Sequence, residues 1–395
     1  MIDLSVNFLG LRLKNPIVAA SGHISYSFEH LKRCIEAGAG AITLKSIVFD
    51  SERCFRDARP RYFFLDKHGR SKMFTQGGGK GFITPEFAMK TLRQIKPVAK
   101  DAGVVVIGNI GAERPLDPKA ILEAAKGLER EGADIVEVTL TCPLITVNPK
   151  EAEQLDREAA TLVLSELKDQ LSIPFYIKFF YKNDPLLLDL LAIVEQDNSP
   201  AFHISMGIPS VFIDIEKGKP LVPVPKLYGP DFTGIGAYCT ARAASTTSLP
   251  IISGGGMWTY RDIVERIMCG ATLTAVHTAI LYEGYKVLTK MIDGLEKYIK
   301  RKRHQTLDGI RGIAVPYVTN PTFLSDWVEA NLVPKESLRI SVDLTKCYGC
   351  GLCAACYNGA IQIKEKLAVI DFELCDRCGI CVSICPKDAI VISPS

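Results

Sequence analysis

Apolar residues along this chain come in short runs separated by longer amphipathic stretches. The runs are Pro16–Ala20, Ala41–Lys45, Val104–Gly108, Asp134–Leu140, Pro174–Phe179, Ala201–Ser205, Pro250–Ser253 and Leu273–His277. Nearly continuous apolar character over so few residues is what a strand buried on both faces requires. Between them, Phe28–Ala37, Pro118–Glu131, Arg157–Gln170 and Tyr260–Cys269 carry helical periodicity. Eight such repeats predict an α/β chain whose parallel strands close into a (β/α)8 TIM barrel, spanning residues 1–310. Two intervals after strands are long, Ser46 to Asp101 and Met206 to Leu249. Loops that follow barrel strands lie on the catalytic face, so these two are expected to cover an active site. The basic stretch Lys297–His304 reads as a solvated helix end, and a proline-punctuated connector, 311–339, leads to a different kind of sequence at 340–395.

Composition changes the picture at one point only. With 47% hydrophobic and 23% charged residues the chain can build a large core, and a net charge of +3 singles out no partner. We expect neither nucleic acid nor membrane as a partner. The N-terminus MIDLSVNFLG lacks the pattern of a signal peptide and no run of apolar residues is long enough to span a bilayer, which suggests a cytoplasmic protein. The informative feature is cysteine: eight of the 13 fall between Cys347 and Cys385. Close spacing of that kind means metal rather than disulfides.

Cys375, Cys378, Cys381 and Cys385, followed by Pro386, form the C-x2-C-x2-C-x3-C-P run of bacterial ferredoxins. In that motif three cysteines hold one 4Fe-4S cluster and the fourth crosses to another, so a twin is required. Cys347, Cys350, Cys353 and Cys356 supply it, and Asn358-Gly359-Ala360-Ile361 parallels Lys387-Asp388-Ala389-Ile390. The twin is one residue shorter before its fourth cysteine and has Tyr357 where the other has proline. A zinc site with four cysteine ligands would explain neither the doubling nor the Cys-Pro step. The expectation is a small α+β ferredoxin-like domain with two 4Fe-4S clusters.

In the barrel, Gly254, Gly255 and Gly256 end the seventh strand, and His277 and Thr278 end the eighth. Backbone N–H groups at these loops form the usual phosphate site of such barrels. Beside iron–sulfur clusters, a phosphate-bearing cofactor that accepts a hydride and releases single electrons is expected, and FMN fits.

Pro16 to Gly22, Leu44-Lys45-Ser46, Thr141-Cys142-Pro143, Ile177-Lys178 and the Gly254–Gly256 triplet together resemble the dihydroorotate dehydrogenase superfamily, over nearly the whole barrel. With the cysteine module added, the arrangement is most similar to the catalytic subunits of bacterial NAD-dependent dihydropyrimidine dehydrogenases. The resemblance implies that Ala20, Ser21, Lys45, Asn109, Thr139, Lys178, Ser205, Gly254, Gly255, Gly256, His277 and Thr278 line the FMN site. It also implies an electron partner, either ferredoxin or an NAD(P)H-oxidising flavin and iron–sulfur subunit, and a homodimeric core. Cys142, just after the fourth strand, is the expected acid or base, because a thiol titrates near enough to neutrality for proton transfer. Lys45 and Lys178 at strand ends are expected to be buried charges without protein partners, balanced by the reduced flavin.

The chain departs from the family where asparagines hold the pyrimidine ring. Thr139 and Ser205-Met206 occupy two of these positions, and Phe74 to Gly79 replaces the third segment. Gln76 or Lys80 could restore a polar contact, and His203 and Met206 are either new substrate contacts or core. The substrate expected is a small molecule with a conjugated C=C, such as a non-pyrimidine enone. The rival readings are a dihydroorotate dehydrogenase and an electron-transfer adaptor with no substrate of its own.

Overall fold

The computed structural model of the chain describes residues 2–49, 61–64, 74–77, 82–112, 116–140, 149–181, 183–211, 213–220, 226–323, 325–326 and 337–394. The chain divides into two compact units, Met1–Asn320 and Pro321–Ser395.

All eight apolar runs of the first unit are strands: β1 Ile17–Ala19, β2 Ala41–Thr43, β3 Val105–Gly111, β4 Ile135–Thr139, β5 Phe175–Phe180, β6 Phe202–Ser205, β7 Ile251–Gly254 and β8 Leu273–Val276. They pair in parallel around a closed barrel, with β8 returning to β1 through Thr274 opposite Ile17. Every residue of β3 and β4 is buried, Asn109 and Glu137 included.

Helices follow the strands: α1 Phe28–Glu36, α2 Pro85–Asp101, α3 Pro118–Arg130, α4 Pro149–Leu167, α5 Asp184–Gln196, α6 Thr233–Ala244, α7 Tyr260–Met268 and α8 Lys286–Arg301. Their starts are fixed locally. Thr84, Asp117 and Asn183 cap α2, α3 and α5, each with proline in the first turn. Thr259 and Asp262 form a capping box on α7. Helix α4 begins eight residues before the expected Arg157, at Pro149, which is preset for a first helical position, and ends before Asp169, whose φ of 59° is left-handed. The basic stretch closes α8, where Lys300 and Arg301 face the negative end of the helix dipole.

The two long intervals meet each other. Arg61–Phe64 and Phe74–Gly77, from the interval after β2, join Lys226–Tyr228 and Ile208–Pro209, from the interval after β6, in one antiparallel four-stranded sheet. Gln76 lies on this sheet, opposite Tyr62. Among the described residues no helix is long and apolar enough to cross a membrane.

In the second unit β9 (Leu338–Val342) pairs antiparallel with β12 (Ile390–Pro394), and β10 (Ile361–Lys364) pairs with β11 (Leu367–Ile370). The sequence repeat is a geometric repeat. Asp343 N donates to Ala389 O and Asp371 N to Ala360 O, at 2.6 and 2.7 Å. Gly351 and Gly379 both take φ near 80° ahead of short helices, Leu352–Ala355 and Ile380–Ile384. Ala360, Ile361, Ala389 and Ile390 are all buried at the centre.

Candidate cofactor and redox sites

The hub of the barrel interior is a residue that sequence reasoning missed. Glu137 on β4 is 1% exposed and accepts hydrogen bonds from Asn109 Nδ2, Tyr176 Oη (3.0 Å), Lys178 Nζ (3.2 Å) and His203 Nδ1 (2.7 Å). Burial pushes its carboxyl up, but Lys178 and His203 outweigh that and hold it at about 2, so it is ionised. Burial lowers the His203 ring below its ordinary range, against the pull of the Glu137 carboxylate. Because the carboxylate only accepts, His203 carries a proton on Nδ1, which leaves Nε2 directed away from Glu137. That Nε2 is buried without a partner, and a β-carbon at Gly254 would lie 2.8 Å from it.

Lys178 is therefore not the unpartnered charge expected from the sequence. The carboxylate that pairs with it sits two residues along β4 from Thr139, and one acidic residue inside the apolar strand Ile135–Thr139 was the available signal. The Lys45 ammonium is also accommodated, 4.9 Å from the centroid of the Phe82 ring.

Most of the remaining expected residues come together at the C-terminal ends of the strands. Asn109 on β3 also donates to Thr139 Oγ1 at 3.0 Å, and its Oδ1 is buried without a partner. Ser21 Oγ and Ser46 Oγ are 3.3 Å apart, linking the ends of β1 and β2, and Ala20 N donates to Val276 O. His277 Nε2 is buried and unpaired, facing Gly22, where a β-carbon would lie 2.1 Å away. Desolvation, with His23, Lys45 and Lys178 nearby, pulls the His277 ring down to about 3. Thr278 opens the short helix Thr278–Glu283. Ser205 is half-buried at the end of β6, its Cα 3.5 Å from a β-carbon position on Gly254, and Met206 is packed into the core beneath Gly255. Cys142 and Lys80 lie outside the described residues.

The glycine turn after β7 admits no side chains. Gly255 and Gly256 have φ of 83° and 80°, and β-carbons there would lie 2.3 Å from Met206 Cβ and 2.7 Å from Thr233 N. Behind the turn is a second residue missed from sequence, Arg266 of α7. It is fully buried and donates to Ser253 Oγ (2.9 Å) and to Thr233 O and Gly255 O (2.8 Å each). Orphaned Asn109 Oδ1, His203 Nε2 and His277 Nε2, two buried lysines and a glycine turn make a polar cradle that fits a flavin mononucleotide.

In the second unit Cys347, Cys350 and Cys353 line one cavity together with Cys385 from the other half-motif, as the crossover of a two-cluster ferredoxin requires. Ala389 N donates to Cys385 Sγ at 3.2 Å and Ala368 N to Cys347 Sγ at 3.4 Å. Backbone amides of Lys387 and Ala389 lower the Cys385 thiol, favouring the thiolate that ligates iron. Cys375, Cys378, Cys381 and Cys356 remain as a second set, with Cys375 and Cys381 buried. Among the described residues no three metal-binding side chains converge on the position of a single ion.

Comparison with known proteins agrees with this geometry. The pattern of the dihydroorotate dehydrogenase family matches residues 3–299, and that of a 4Fe-4S binding domain matches residues 368–391. Among curated proteins, the catalytic subunit of dihydroorotate dehydrogenase B (NAD(+)) from Thermoplasma acidophilum is 26% identical over 318 residues, covering 80% of this chain and 100% of that protein. The subunits of the same name from Caldicellulosiruptor saccharolyticus and Methanothermobacter thermautotrophicus are 26% and 24% identical, each over 79% of this chain and 99% and 98% of their own length.

Proposed function

The chain belongs to the dihydroorotate dehydrogenase family, and from that premise we propose that it adds or removes hydrogen across a carbon–carbon bond beside a carbonyl and exchanges electrons through two 4Fe-4S clusters. The observation that carries this reading is the presence, in one chain, of a cradle with orphaned polar atoms and a cavity lined by four thiols. Bound FMN would supply the hydride chemistry and the change from two electrons to one.

The protein's own residues then have distinct tasks. Ala20, Ser21, Lys45, Asn109, Lys178, His277 and Thr278 hold the cofactor, and the Gly254–Gly256 turn takes its phosphate. Lys178 offers positive charge to the ring, but only the part that Glu137 leaves uncompensated. Cys142 moves the proton at the substrate carbon. One set of thiols, Cys347, Cys350, Cys353 and Cys385, holds one cluster, and Cys356, Cys375, Cys378 and Cys381 hold the other. The physiological electron partner is ferredoxin or an NAD(P)H-oxidising flavin and iron–sulfur subunit.

The substrate pocket has lost amide groups. Thr139 and Ser205 offer hydroxyls instead, and the Thr139 hydroxyl already accepts from Asn109. A site that reads a pyrimidine by its amides discriminates through matched polar groups, so this replacement favours another cyclic or conjugated enone. A second reading, dihydroorotate itself, is favoured by the names of the relatives.

Oxidation of a reduced viologen under anaerobic conditions, against orotate, uracil, thymine and a panel of non-pyrimidine enones, decides between them. Turnover of non-pyrimidine enones is expected. Turnover of orotate alone establishes the second reading, and no turnover of any compound leaves only an electron-transfer adaptor. Cys142→Ala should lower turnover of the active compound by about 10²- to 10⁴-fold with flavin and iron content unchanged.

A further inference from the structure

Arg266 is an unusual buried cation. Its three hydrogen bonds go to neutral oxygens, and although the Glu265 and Asp262 carboxylates favour its charge from a distance, neither is hydrogen-bonded to the guanidinium. The neighbouring Asp262 is engaged elsewhere, accepting from Trp258 N and Thr259 N. Burial pulls the Arg266 guanidinium down to about 10, which leaves it charged at neutral pH.

The surroundings are shaped for it. Gly236 is placed so that a β-carbon would lie 2.1 Å from Arg266 Nη1. Ser253 Oγ, which accepts from Nη1, is 2.7 Å from Thr240 Oγ1, and Thr240 in turn donates to Gly236 O. Through Nη2 the guanidinium joins the carbonyl of Gly255, in the turn, to the carbonyl of Thr233, the first residue of α6. Thr233 abuts Gly256, and its Oγ1 is buried without a partner.

A desolvated cation with no ion-pair partner among the described residues is stabilised further when something supplies negative charge close by. We propose that Arg266 is a positioning residue that fixes the Gly254–Gly256 turn against α6 and provides, from behind, the positive charge that favours the cofactor's phosphate over a neutral group. Helix α7 thereby selects a phosphorylated flavin. This rests on the cofactor reading above.

Flavin-free full-length protein is titrated with FMN and with riboflavin, which has the same ring and ribityl chain but no phosphate, and binding is read by flavin fluorescence. The wild type should bind FMN more tightly than riboflavin. Arg266→Met should weaken FMN by roughly tenfold or more and riboflavin by no more than about threefold, because both ligands lose the same brace on the turn but only FMN loses a charge interaction. Arg266→Lys should recover most of the preference for FMN. An equal loss for both ligands, or an unchanged ratio, overturns the proposal and leaves Arg266 a structural brace. If Arg266→Met does not fold by circular dichroism, the same titrations on Arg266→Gln decide. A wild type that binds neither flavin overturns the cofactor reading itself, an outcome separable from failure of the Arg266 role alone.

Discussion

Lys178 on β5 and Arg266 on α7 are both buried cations beside the same barrel mouth, yet they are held in opposite ways. Lys178 donates to the Glu137 carboxylate at 3.2 Å, inside a network that also takes in Tyr176, His203 and Asn109. Arg266 meets one hydroxyl and two carbonyl oxygens. The first region balances its own charge and is vulnerable to the loss of any member. The second carries charge in surplus, and its energetics improve when an anion arrives. A single barrel thus separates a self-contained electrostatic floor on the β4–β6 side from a receptive wall on the β7 side.

The largest effect that would break this comparison is loss of the shared carboxylate. Glu137→Ala strands Lys178 and removes the acceptor of four donors, so the barrel should lose about 3–5 kcal/mol in urea unfolding. A loss below about 1 kcal/mol would mean that Lys178 finds another partner and that the floor is not held by Glu137. Arg266→Met should behave differently in the flavin-free protein. It removes three hydrogen bonds but also a costly lone charge, so the net change should stay within about 2 kcal/mol, measured in the same way.

Acidification should sharpen the contrast with a smaller effect. The ordinary histidine value is 6.5, but His277 and His23 are held down to about 3 in the folded protein. Between those values the unfolded chain binds protons that the folded one refuses, so stability should fall as pH drops from about 6.5 towards 3. Glu137 adds a later loss: its carboxyl lies near 2 in place of 4.5, so its stabilisation is complete above about 4.5 and disappears as pH falls towards 2. His277→Gln should flatten the first window by about 1 kcal/mol between pH 6.5 and 5, read from urea midpoints, and leave the second unchanged. A slope unaltered by the substitution would place the titrating group elsewhere.

The strands and the cysteine repeat were legible because each depends on residues close together in sequence. Eight apolar runs gave eight strands, and the parallel between Asn358–Ile361 and Lys387–Ile390 became matching hydrogen bonds in which Ala360 O and Ala389 O accept from Asp371 N and Asp343 N. The glycine turn was legible as a turn. Its brace was not, because Arg266, Ser253 and Thr233 meet only when β7, α6 and α7 are packed. Glu137 was overlooked for the same reason: an acidic residue inside an apolar strand was a local signal, but its partners lie on β3, β5 and β6 and only packing reveals it as a hub. The sheet that joins the two long intervals likewise depends on pairing Phe74 with Tyr228, far apart in the chain.

The central claim, that a flavin cradle and two cluster sites share one chain, is tested most directly by the FMN, iron and acid-labile sulfide content of protein purified without oxygen. The account predicts one FMN per chain with about eight irons and about eight sulfides, as two cubanes require. Protein that contains zinc in place of iron, only about four irons, or no flavin after anaerobic reconstitution would contradict it.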